Sequence, residues 1–479
     1  MRYLSAVSAL HSLRRRVPLL ARLAVPDRTL HCWASQQWHP CHVAAVLVAA
    51  LLISGIESAL ASPEVPGAAQ TKPIALVGAT IHPVSGPDLE KGTVLFIDGK
   101  IAAIGADVKL PDGAEKIDVA GKHIYPGLID AYTDLGLIEI PSVRATNDRA
   151  ETGTVNPNVR AQVAVNPDSE LIPVVRSNGV LAVLTAPTGG LIAGQSAVIA
   201  LDGWTFEDMT IRAPVGMHVT WPRLRPLRGF RTQDDTPAAA KRDEALKLLD
   251  EIFAQARAYQ ASKAAATSER PVALDVRGEA MLGVLDGTIS LVVRADELEQ
   301  IQGAVAFAER QHVKLIILGG YDAAACADLL KQHEVPVIIG GVQRLPERAS
   351  DAYDEPFTLP ARLHAAGIRF CISGAEQASN VRNLPYHAGM AAAYGLPREE
   401  ALKAVTLYPA QILGVGDRLG ALETGKDATL IVTDGDPLET PTEVISAYIA
   451  GRKVDLMDRH KRLWRKYQEK YRRLENARD

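Results

Sequence analysis

A chain of 479 residues, 47% of them hydrophobic and with mean hydropathy near zero, can bury one large core and a smaller one, which argues against disorder throughout. Aromatics make up only 5% while glycine (37) and proline (29) are plentiful, a balance that favours many tight strand-to-helix connections over a helical bundle. Residues 1–61 carry six arginines against Asp27 and Glu57; without them the formal net charge goes from −4 to −8, which argues against nucleic acid as a partner.

The first segment is basic. Arg2, Arg14, Arg15, Arg16, Arg22 and Arg28 precede an uncharged run over residues 43–53, too short to span a bilayer comfortably, and Ala59-Leu60-Ala61 follows. These are the three parts of a secretory signal (residues 1–61), with cleavage expected before Ser62 and an exported, periplasmic mature chain. The alternatives are an uncleaved segment, through which alone membrane contact is expected, or a start codon assigned too far upstream. Arg14-Arg15 lies too far from the apolar run for a twin-arginine signal. Cys32 and Cys41 fall in this segment, leaving Cys326 and Cys371, which read as buried free thiols rather than a disulfide framework.

From residue 73, the runs IALVGATIHPV, GTVLFIDGKIAAIG and AEKIDVAGKHIYPG predict an antiparallel meander with a two-residue hairpin turn at Asp98-Gly99. The same texture returns in KDATLIVTDGDP and VISAYIAGRKVDL, so residues 62–125 and 420–455 are expected to build one small β-sandwich composite domain from both chain ends. Between them VLAVLT, ISLVVRA, VKLIILGG, VPVIIGG and IRFCIS alternate with helical periodicity over residues 243–261, 297–311 and 323–332. Apolar strands each followed by an amphipathic helix predict an α/β class, a closed (β/α)8 TIM-like barrel over residues 126–419. Residues 144–173, with Asn147, Asn156, Asn158 and Asn166, predict a long loop at the functional end of the sheet. Residues 456–479 predict a basic amphipathic helix whose stripe of Leu463, Tyr467, Tyr471 and Leu474 packs on the barrel or on a neighbouring subunit of a homo-oligomer, with an anionic membrane as the lesser alternative.

Two motifs stand at the junctions of these pieces: Tyr125-Pro126-Gly127-Leu128-Ile129-Asp130 after the meander, and Gly425-Lys426-Asp427-Ala428-Thr429-Leu430-Ile431-Val432 near the other end. Thr406-Leu407-Tyr408-Pro409-Ala410, Leu413-Gly414 and Asp417-Arg418-Leu419-Gly420 precede the second. In this order, over residues 73–455, they resemble the amidohydrolase superfamily, and its imidazolonepropionase-like branch most closely. The resemblance implies a hydrolase of carbon–nitrogen bonds other than peptide bonds, working through a metal-bound hydroxide inside the barrel.

The positions that the resemblance assigns to metal ligands hold other residues. Tyr132 and Asp134 stand where a first-strand His-x-His is expected, Arg294 where the fifth strand should offer His, Gly319 and Gly320 where the sixth should, and Gly374 where an Asp should follow the eighth. A guanidinium has no lone pair and repels a cation, so no cofactor is expected; a divalent metal such as zinc enters only if another site exists. Asp134, Asp275, Glu279 and Asp296 could supply a carboxylate-only site, although acids at strand ends ordinarily cap helices or pair with cations. The catalytic candidates are Tyr132, Asp134, Arg294 and His387, the last a lone histidine of the kind that more often packs or caps. Thr188-Gly189-Gly190 with Gly194-Gln195-Ser196 offers at most a backbone-lined pocket. Two readings stay open: a hydrolase with a rebuilt site, or a non-catalytic barrel that binds a small-molecule ligand or a protein partner. A silent subunit paired with an active homologue is a third.

Overall fold

The computed structural model describes residues 65–223, 238–374 and 376–476. The expected secretory signal and its expected cleavage before Ser62 lie outside the described residues.

Strands from both chain ends share one eight-stranded sheet. His123–Pro126 pairs antiparallel with Leu430–Thr433, placing Tyr125 opposite Ile431, and so joins the two contributions. Asp98 and Gly99 turn the hairpin between Leu89–Ile97 and Lys100–Gly105 with φ of 49° and 79°, the left-handed pair that a two-residue turn of matching twist requires. Ile101 then exchanges backbone hydrogen bonds with Lys426 and Gly425, so the sheet folds back on itself and both halves face one core of Leu76, Phe96, Ile124, Leu430 and Tyr448. The meander is incomplete: Glu115–Asp118 and His123–Pro126 run parallel to Ile74–Ile81. Apolar patterning selects the face a strand buries, whereas its partner and direction depend on where the preceding connection delivers it.

Gly127 carries the chain from sheet to barrel. Its N–H donates to Thr429 O, and a Cβ there would stand 2.7 Å from Leu181 Cδ1, so the backbone passes only because no side chain is present. Eight strand positions then close a barrel: Leu128–Thr133, Val180–Thr185, the bent pair Ile192–Gln195 and Ala197–Ala200, Gly216–Thr220, Ser290–Ala295, Leu315–Gly319, Val337–Ile339 and Phe370–Ile372. Closure between the last and the first comes from Ser373 Oγ donating to Tyr132 O and Gly374 N donating to Asp130 Oδ2, at 2.8 and 3.1 Å. The third position departs from a strict (β/α)8 repeat. Ala197–Ala200 runs antiparallel to the second strand and Ile192–Gln195 antiparallel to the fourth. Gly194-Gln195-Ser196 is thus the bend of a barrel strand and not a loop.

Ile129, Ala182, Leu184, Val292, Ile316 and Ile338 plug the lumen, and a second layer of apolar side chains fills the space between strands and helices. The polar site therefore sits above a dry floor, at the strand ends. The helix Leu298–Gln311 starts there with a reciprocal cap between Glu297 and Gln300, and Gln300 Oε1 also accepts from Asp296 N at 3.2 Å. At the far end of the chain, Arg459–Asn476 forms a helix with no buried residue. Among the described residues, the expected packing of its stripe against the barrel is not found.

Candidate functional site

Tyr132 enters the lumen from the first barrel strand, beyond an irregularity of register between Asp130 and Thr133. Arg294, near the end of the fifth strand, reaches across to it: Nη2 donates to the Tyr132 hydroxyl at 2.9 Å, and the guanidinium carbon lies 5.1 Å from the ring centroid. The same Nη2 is 3.1 Å from Glu376 Oε2, just past the eighth strand. His218, on the fourth strand, also stacks on Tyr132, with ring centroids 5.8 Å apart. It is buried and its Nε2 has no hydrogen-bond partner among the described residues. Tyr132, Arg294 and Glu376 form a partition between two cavities of about 240 and 300 Å³; His218, Thr188 and Gly189 line the first, Asp296, Gly319 and Arg344 the second. Larger clefts of about 580 and 660 Å³ lie away from this group, the second beside the composite sheet at His82 and Tyr125.

The electrostatics follow from burial. Burial pushes the Tyr132 phenol up to about 12, with the Arg294 charge opposing, so the hydroxyl stays protonated. Burial also works against the charge of Arg294, but the Tyr132 and Glu376 oxygens more than offset it and hold the guanidinium above its ordinary value. His218 is depressed to about 3, by burial first and by the Arg294 charge second, so its imidazole is neutral. The mouth thus offers a donor fork, a carboxylate, a phenol and a neutral imidazole.

The sequence-predicted residues divide. Tyr132 and Arg294 meet. Asp134 does not line either cavity: its Oδ1 accepts from Ala378 N at 2.7 Å, its Oδ2 lies 3.4 Å from Arg149 Nη1 of the 144–173 loop, and it fastens the segment after the eighth strand. Burial raises its pKa, with the Ala378 N–H and Arg149 opposing. His387 sits in the helix Leu384–Ala393, where Nδ1 accepts from Val342 N and Gln343 N at 3.0 and 3.1 Å, so it caps a loop rather than serving the lumen. Asp275 caps the helix Val276–Leu285, and Glu279 pairs with Lys263 and Tyr259 on the surface. Asp296 alone of that carboxylate group reaches the mouth, with Arg223 and Arg344 each 3.8 Å away. His218 and Glu376 were not singled out from the sequence. The one signal for His218 was an imidazole inside the short apolar run VGMHVT; for Glu376, an acid two residues past Gly374.

The glycines at ligand positions have reasons of their own. Gly319 adopts φ of +101°, and a Cβ on it would stand 2.5 Å from Asp296 Oδ1. Gly319→Ala is therefore expected to lower stability by about 2 kcal/mol or more, read from urea unfolding; an unchanged midpoint would mean that this approach is not tight. At Gly374 a Cβ would meet Asp130 Oδ2 at 3.0 Å and Val381 Cα at 3.2 Å, so an aspartate there would face a buried carboxyl.

Residues 297–455 match the amidohydrolase family, and the barrel, its composite sheet and the similar proteins support the amidohydrolase superfamily and its imidazolonepropionase-like branch. Among solved structures, an amidohydrolase from Thermotoga maritima superposes with a TM-score of 0.71 at 26% identity, covering 80% of this chain and 99% of that one. Imidazolonepropionase of Mesorhizobium japonicum is 25% identical over 418 residues, 79% of this chain and 92% of its own. Amidohydrolase tasK of Hapsidospora irregularis is 24% identical over 404 residues; the match takes in 76% of this chain but only 39% of that longer protein.

The family implies a metal, and the donors present do not fit one. Among the described residues no three His, Cys, Asp or Glu side chains come together to hold an ion. His218 and Glu376 share a cavity, but the Arg294 guanidinium stands beside the carboxylate and claims it.

Proposed function

We propose that this chain uses the amidohydrolase barrel to bind a small polar ligand at the lumen mouth, without metal-assisted hydrolysis of a carbon–nitrogen bond. The observation that carries the reading is Arg294, held by Tyr132 and Glu376 where cation binding would require lone pairs. A dry floor beneath a few convergent polar groups supports recognition, and cavities of about 240 and 300 Å³ suit a ligand of metabolite size. An anionic group would take the guanidinium fork, displacing Glu376, while the neutral His218 ring would pair with a ligand donor or acceptor.

The test is thermal-shift and calorimetric screening of small carboxylic acids, amino acids and lactams, together with turnover assays with and without zinc. A ligand that raises the melting temperature of the wild type should bind Arg294→Ala at least about 30-fold more weakly, the loss of about 2 kcal/mol expected on removing charge-assisted hydrogen bonds from the guanidinium to the ligand. Zinc-stimulated turnover of a lactam or amide would overturn the proposal. The second reading, a rebuilt hydrolase, is favoured by the likeness to imidazolonepropionase; turnover insensitive to chelators and abolished by Glu376→Gln would establish it.

A further inference from the structure

We infer that the carboxy-terminal helix Arg459–Asn476 is a docking surface for an anionic lipid bilayer, lying in the headgroup plane with Leu463, Trp464, Tyr467, Tyr471 and Leu474 turned towards the acyl chains. The residues of this helix are sharply sorted. At 3.6 residues per turn those five fall within an arc of about 100°, and the opposite side carries most of the cations. The helix contains eight lysines and arginines against Glu469 and Glu475, in a chain whose formal net charge is −4. Among the described residues nothing buries its apolar arc: the five side chains are 41, 61, 50, 60 and 48% exposed.

Among the described residues, it is the first turn that is fastened to the body of the protein. Asp458 accepts from Lys461 N, Arg462 reaches Glu170, and His460 meets Arg382. Beyond that turn the recorded ion pairs lie within the helix itself, between Glu469 and the Arg472 and Arg473 guanidiniums. Lys470 sits 5.8 and 5.9 Å from the Tyr467 and Tyr471 ring centroids, at the edge of the arc, where a long stem can keep its ammonium at the phosphates while the rings go deeper.

Three occupants compete for such a face, and the chemistry separates them. Nucleic acid would use the cations but has no need of a Leu-Trp-Tyr arc. A second copy of the helix would cover the arc but leave the cations of the opposite side without anions, and would bring the cations at the edge of the arc, Arg459, Lys466 and Lys470, towards their own copies. An anionic bilayer uses both faces at once: phosphates and acidic headgroups for the cations, and the interfacial zone for tryptophan and tyrosine, which settle where one end of the ring is wet. This contact is independent of whether the amino-terminal segment is cleaved.

Flotation of the full chain with vesicles of phosphatidylcholine alone, and of phosphatidylcholine mixed with phosphatidylglycerol, tests the inference. Partition should be at least about ten-fold stronger on the mixed vesicles and should weaken as salt is raised. The double variant Trp464→Glu/Tyr467→Glu should lose that preference while keeping the wild-type melting temperature, since neither side chain is buried. Comparing the two full chains cancels whatever residues 43–53 contribute. Equal binding to both vesicle types, or a preference that survives the double variant, overturns the inference. So does self-association, seen by light scattering and abolished by the same variant, in a chain that ignores vesicles.

Discussion

Replacing His218 with leucine is expected to make the protein markedly more resistant to acid. The ring is buried without a partner for Nε2, and burial, then the Arg294 charge, hold its pKa at about 3 against 6.5 for the unperturbed group. Between these values the unfolded chain takes up a proton that the folded one refuses. Stability is therefore lost as the pH falls from about 6.5 towards 3, at about 1.4 kcal/mol per unit for this one residue. Leucine fills similar space against Tyr132 and has nothing to protonate, so at pH 5 the variant should gain about 2 kcal/mol relative to its own value at pH 7, compared with wild type. Urea midpoints at the two pH values measure this. His387, lowered to about 4 by burial, titrates with the same sign and remains in the variant, so part of the slope survives. An identical pH dependence in wild type and variant would show that His218 is hydrated in the folded state.

Asp130→Ala should be the most damaging change at the barrel seam and should alter the pH profile in the opposite sense. Asp130 is fully buried; its carboxyl accepts from Tyr132 N and Gly374 N, both at 3.1 Å. Alanine leaves both donors buried and unpaired where the eighth strand closes on the first, at a cost of about 3 kcal/mol. Burial raises the Asp130 pKa to about 7, with the Tyr132 and Gly374 N–H groups and the Ser373 hydroxyl opposing. The folded chain then keeps a proton that the unfolded chain releases near 4, so the contribution of Asp130 is complete below about pH 4 and declines as the pH rises to about 7. His218 and Asp130 thus oppose each other between about pH 4 and 6.5, so of these three groups only the slope of His387 is left in the wild type. Removing the carboxyl unmasks the histidine slope, and stability should climb with pH; a flat profile in Asp130→Ala would count against this account.

How much of this was legible beforehand can be judged residue by residue. The apolar runs that became the second, fifth, sixth, seventh and eighth barrel strands, and the two contributions to the composite sheet, stood out because each buries a pattern that is local in the sequence. The bent third strand did not, because Gly194 and Ser196 give it the texture of a loop, and nothing in a short run states which direction it will take. Tyr132 and Arg294 could be picked out by their place in family motifs. Asp134 and His387 could be named as candidates equally well, yet they hold backbone N–H groups away from the cavities.

Composition and periodicity by themselves determined the class of the chain, the two-ended β domain and the two-faced character of the last helix, since these depend on spacing along one segment. Only the tertiary structure decided that Tyr132 meets Glu376 across 244 residues, that His218 stacks on Tyr132, and that among the described residues none of the last helix is buried. Convergence of side chains is set by strand register and barrel closure, and those are settled by the packing of the whole chain, not by any stretch of it.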